Sequence, residues 1–135
     1  MPMLAALAEG LWQFGHSRLS RFVPSTAGAV LVSSTAAVIG VLLLLARGDM
    51  GSLKQITFNQ DTIYWILFTG LTALAIDSLS IKSYSSGLPL SVVGPIIIGG
   101  GIAIVSIIGV LLGEPITLLK ILGLVLITIG ASLLA

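Results

Sequence analysis

The sequence predicts an all-α integral membrane protein: a five-transmembrane-helix bundle forming one membrane domain over residues 1–135. Three observations predict it. The chain is 56% hydrophobic and 8% charged, with a mean hydropathy of +1.17, and a soluble domain of this length has too little interior to hide so much apolar surface. Its apolar runs are long enough, at roughly 1.5 Å per residue, to approach or cross a hydrocarbon core of roughly 30 Å. Short polar steps separate the runs. Within lipid the backbone must satisfy its own hydrogen bonds, so each run is expected to be a helix.

The first run, residues 2–20, has Arg18 near its end, Arg21 just after it and Glu9 inside it. A secretory leader has the reverse order, so a retained helix is expected. Glu9, Gln13 and His16 stand at i, i+4 and i+7, which puts them on one face. Gly10 and Gly15 permit close helix contact, while Leu4, Leu7, Leu11, Trp12 and Phe14 fall on the other faces. An amphipathic helix lying in the membrane interface is the alternative for this run.

Residues 24–46 form the second expected span. Its first part is rich in Ser, Ala and Gly, residues that let helix backbones approach in lipid. Residues 47–61 hold Arg47, Asp49, Lys54 and Asp61 and read as the one real loop. The third span, residues 62–84, opens with Tyr64 and Trp65, as interfacial aromatics do. Asp77 falls inside it, about two turns from its end, and is expected to pair with Lys82 or with a basic residue of another helix.

The fourth span, residues 88–112, has no charged residue. Pro95 and the run Gly99-Gly100-Gly101 weaken it, which predicts a hinge or a close backbone contact. The fifth span, residues 117–134, follows the step Gly113-Glu114-Pro115-Ile116-Thr117, where Glu114 is expected to cap the turn. Gly123 and Gly130 share a face of this span. Gly109 and Gly113 form a small-xxx-small pair at the end of the fourth, and all four are expected at helix-packing contacts.

Positive charge gives no orientation preference. With five spans, Arg18, Arg21 and Lys82 fall on one side, and Arg47, Lys54 and Lys120 on the other. The tally is three against three, so insertion in both orientations is expected. The net charge of +1 argues against nucleic acid as a partner. Cysteine is absent, which removes disulfides, thiolate metal sites and Cys nucleophiles. With a single His and no paired carboxylates at ligand spacing, no metal site or cofactor is expected. No set of residues suggests an enzyme.

The step Leu112 to Thr117, followed by Gly123-Leu124-Val125-Leu126-Ile127-Thr128-Ile129-Gly130, resembles the end of a drug/metabolite transporter repeat of the EamA type. The upstream Leu90-Ser91-Val92-Val93-Gly94-Pro95-Ile96 and the five expected helices fit the same pattern. The chain is also similar to the small multidrug resistance proteins. Leu7-Ala8-Glu9 resembles their essential carboxylate motif, and the spacing from Gly123 to Gly130 resembles their dimer-contact helix. The resemblance implies half of an inverted-repeat transporter, completed by a second copy in an antiparallel homodimer. It further implies a small organic substrate, exchange with protons, and a bacterial or archaeal cytoplasmic membrane. Two departures stand beside it. Those short relatives have four helices, and their third carries aromatics that stack on cationic drugs. Residues 88–112 have none.

An ionised carboxylate at bilayer depth costs several kcal/mol and needs a partner or a use. Glu9 is therefore the leading candidate for substrate and proton binding, with Gln13, Trp12, His16 and Asp77 as the accompanying set. His16 is expected nearer the interface. The alternative function is a non-transporting membrane subunit whose Glu9 and Asp77 pair with a partner's helices.

Overall fold

A computed structural model describes residues 2–134; Met1 and Ala135 lie outside the described residues. These residues form six helices and no strand. They are α1 (Pro2–Leu19), α2 (Ser25–Ala46), α3 (Gly51–Lys54), α4 (Gln60–Ser85), α5 (Leu90–Leu111) and α6 (Leu118–Leu134). The sixth helix is the addition to the five expected. α3 is a four-residue helix within the connection that the sequence reads as loop.

Three of the six, α2, α4 and α5, are long and apolar enough to cross a membrane, which is compatible with an integral membrane protein. At 22, 26 and 22 residues they extend roughly 33–39 Å. α6 is apolar but shorter. The apolar character of α1 is diluted by the polar side chains that it carries inward.

The helix ends follow local rules. Asn59 caps α4 by accepting a hydrogen bond from the Thr62 amide at 2.8 Å. α2 and α5 both stop at a glycine with left-handed backbone, Gly48 at φ 66° and Gly113 at φ 88°. At each stop two amides fold back on the last turn. Gly48 N–H donates to the Leu45 carbonyl and Asp49 N–H to that of Leu44; Gly113 N–H donates to Val110 and Glu114 N–H to Gly109. This is the Schellman arrangement, which satisfies carbonyls that lipid could not.

α4 is the hub. It packs against α1, α2 and α5; α1 also touches α5, and α6 packs on α5. The most extensive contact of α4 is with α2. A Cβ added at Gly28 would lie 2.9 Å from Ile81 Cδ1, so the small-residue half of α2 seats a fully buried Ile81.

The interior is polar and the exterior apolar. Apart from glycines, the buried residues are Ala29, Ile81, Tyr84 and Val93, with Gln13, His16, Asp77 and Ser80. Half of the interior is therefore polar, and large aliphatic side chains line the outside. Such an arrangement suits a hydrocarbon solvent and would expose a large apolar surface to water. The chain also exposes 9996 Å², against roughly 6,700 Å² for a compact monomer of this mass. Its helices are splayed, with open grooves beside α5 and α6.

α5 continues as a helix through Pro95, Gly99, Gly100 and Gly101. Of the three glycines only Gly99 makes a close contact: its added Cβ would lie 3.2 Å from Ile127 Cγ2 and 3.6 Å from Ala131 Cβ on α6. Gly123 and Gly130 meet nothing within 4 Å, so within the chain they are not packing residues. Gly113 belongs to the turn, since its positive φ takes it out of the helix. Gly109 faces the Glu114 carboxylate, with an added Cβ 2.9 Å from Oε2, and not another helix.

Candidate functional site

The polar interior is built from two helix faces. α1 supplies Glu9, Gln13 and His16. α4 supplies Asp77, Ser80 and Tyr84, at i, i+3 and i+7, which lie together because 3.6 residues make a turn. Ile81 lies among them and holds α2 against the same face of α4.

Two connected clusters result. In the first, Gln13 Nε2 donates to Glu9 Oε1 at 3.2 Å, and the Tyr84 hydroxyl donates to Gln13 Oε1 at 2.8 Å. Gln13 and Tyr84 are both buried, and Glu9 is half-buried. The Gln13 amide therefore links the carboxylate on α1 to the phenol on α4, with its orientation set from both sides.

In the second cluster, His16 Nδ1 lies 2.9 Å from the Trp12 carbonyl oxygen. That oxygen only accepts, so Nδ1 carries a hydrogen. Nε2 faces Asp77 Oδ1 at 3.5 Å, within ion-pair reach but without hydrogen-bond geometry. Both groups are buried, His16 to 2% exposure and Asp77 to 5%. Ser33 Oγ of α2 stands 3.5 Å from Asp77 Oδ2, which brings three helices to one carboxyl group. Half-buried Trp12 packs edge-on against the imidazole, with centroids 4.1 Å apart.

Of the two partners expected for Asp77, the structure shows a basic residue of another helix, His16, while Lys82 is exposed. His16 is buried among the helices. The structure brings Glu9, Gln13, Trp12, His16 and Asp77 into one neighbourhood and adds Tyr84, Ser33 and Ser80. Ser80 is fully buried, and its hydroxyl has no hydrogen-bond partner. The sequence signal that could have found Tyr84 is its i+7 spacing from Asp77.

Two apolar clefts reach this neighbourhood. One of about 380 Å³ lies between α1, α4 and α5; Glu9 is its only charged lining residue, beside Ile76, Ile98 and Ile102. A second, of about 560 Å³, lies between α1, α5 and α6 and has Gln13, Pro95, Gly99 and Gly130 in its wall. Both fall in the size range of small-ligand sites. Gly100 and Gly101 add no side chain to α5, and Gly101 widens the first cleft. Among the described residues, no three carboxylate or imidazole groups converge as metal ligands do. No family model matches the chain, and no similar curated protein or solved structure was found.

Proposed function

We propose that the chain is a secondary transporter of the drug/metabolite type, working as an antiparallel homodimer in a bacterial or archaeal cytoplasmic membrane. It moves a small organic substrate in exchange for protons. One observation carries the reading: a buried His16–Asp77 pair set beside the Glu9–Gln13–Tyr84 chain in a largely apolar molecule. Unpaired charge at bilayer depth is costly, and ionisable groups there commonly serve ion or substrate paths. Glu9 at the wall of an apolar cleft suits a substrate with a positive centre and an aliphatic body. The splayed surface and the contact-free Gly123 and Gly130 supply room for a second copy.

The test has two parts. A thermal-shift screen of amines, amino acids and metabolites on the purified protein first identifies a ligand. Liposomes holding the protein alone, with a pH-sensitive dye inside, should then show proton flux driven by that ligand. Glu9→Gln should abolish the flux and leave helical content unchanged; retained flux would remove Glu9 from the path. For the dimer, cysteines at Ser52 and Ser86 should both be partly labelled from outside intact cells. Labelling at only one would refute dual insertion.

The open α6 face also suits a second reading, a non-transporting subunit that receives a partner's helix. Stoichiometric co-purification with another membrane protein and no flux in liposomes would favour it.

A further inference from the structure

Charge is divided unevenly between the two ends of the bundle. The end where α1 and α4 finish and α5 begins carries Arg18, Arg21 and Lys82 and no acidic side chain. The opposite end carries Arg47, Lys54 and Lys120 with Asp49, Asp61 and Glu114. Side-chain charge therefore sums to +3 at the first end and to zero at the second. Counting cations alone makes the two ends equal and hides this difference.

A cavity of about 500 Å³ opens at the positive end, between the last turn of α1 and the turn joining α4 to α5. Arg18 and Arg21 line it, and its lining includes no acidic residue. Among the described residues neither arginine has a carboxylate partner. Arg18 is held in place by its guanidinium carbon, 5.1 Å from the centroid of the Phe14 ring. The cavity also reaches the start of α5, a 22-residue helix whose N-cap, Pro89, provides no capping side chain. The positive end of that helix adds to the same field. Ser17, Ser20 and Ser85 add hydroxyls to the wall, and Phe14 and Leu88, 46% and 50% exposed, supply its apolar part. Tyr84 closes the inner side, with its hydroxyl on Gln13.

We propose that this cavity binds a phosphate-type anion, and that the anion is the headgroup of an acidic phospholipid. The phosphate lies between Arg18 and Arg21, and an acyl chain runs out over Phe14 and Leu88. Two guanidinium forks match phosphate geometry, and the exposed apolar side chains of Phe14 and Leu88 beside them favour an amphiphile over a free anion. The inference does not depend on transport; it requires only that the chain resides in a bilayer. Because Tyr84 lies between the cavity and Gln13, the occupant touches the last member of the chain that ends at Glu9.

The experiment uses the Trp65→Phe protein, which leaves Trp12 as the only tryptophan, in phosphatidylcholine vesicles with a brominated phosphatidylglycerol as quencher. Brominated phosphatidylcholine is the reference. Phosphatidylglycerol should quench in clear preference to phosphatidylcholine. The preference should fall about five-fold in Arg21→Gln and about thirty-fold in Arg18→Gln/Arg21→Gln, from the worth of a basic residue near an anionic surface. Arg47→Gln/Lys54→Gln, at the opposite end, should retain it. Inorganic phosphate added to pure phosphatidylcholine vesicles separates the two sources. If it raises the unfolding temperature in an arginine-dependent way while no lipid preference exists, the anion site stands and the lipid assignment falls. If the double arginine variant, folded by circular dichroism, keeps the full lipid preference, or the control loses as much, the site is refuted.

Discussion

Removing His16 tests the buried His16–Asp77 pair directly. In His16→Ala the Asp77 carboxyl group, 5% exposed, keeps only Ser33 Oγ at 3.5 Å. Taking away one member of a buried pair costs about 3–5 kcal/mol, because the other is left uncompensated. In His16→Ala/Asp77→Asn the charge is gone. The remaining loss is that of the missing ring and an underused amide, about 1–3 kcal/mol. The second substitution should therefore restore stability, with a coupling energy on the order of 2 kcal/mol. Asp77→Asn alone should cost under about 1 kcal/mol, since its amide can donate to Nε2. The assay is reversible unfolding in mixed micelles, followed by far-ultraviolet circular dichroism for all four proteins of the cycle. The single histidine also makes the imidazole ¹⁵N spectrum unambiguous, and Nδ1 should carry hydrogen in the wild type. Additive single and double losses, or a neutral ring protonated only on Nε2, would refute the reasoning.

Two further outcomes follow from the packing. Tyr84→Phe removes the 2.8 Å bond to Gln13 Oε1 and leaves that buried acceptor unpaired, so the same unfolding assay should show a loss of about 1–3 kcal/mol. Gly99→Leu would drive a side chain into Ile127 and Ala131; overpacking of about 1–3 kcal/mol should appear as a lowered unfolding temperature, while Gly100→Leu, whose added Cβ meets nothing, should not lower it by this route.

Much of the architecture was legible in hydropathy alone, because lipid leaves the backbone few choices. The runs at residues 24–46, 62–84 and 88–112 differ from α2, α4 and α5 by at most two residues at either end, and α3 was hidden because four residues carry no period. The α1 face was also legible, since Glu9, Gln13 and His16 are three polar residues in an apolar run. Its partner was harder to see. Serines and Lys82 surround Asp77 along residues 78–86, so polarity there points in every direction and conceals the Asp77–Ser80–Tyr84 row. His16 and Asp77 are 61 positions apart, and no local pattern couples them. Spacing identifies a smooth helix face but not which helix covers it: Gly99 meets α6, whereas the face of Gly130 meets nothing close within the chain.

The bonds inside α1 have a mechanical consequence. His16 is tied to the carbonyl of Trp12 and Gln13 to the carboxylate of Glu9, all on the same two turns. These side chains cannot wander separately; they ride on the rod like teeth on a key. Turning α1 by one residue, about 100°, would withdraw both teeth from α4 together, so engagement between the two helices is all or none.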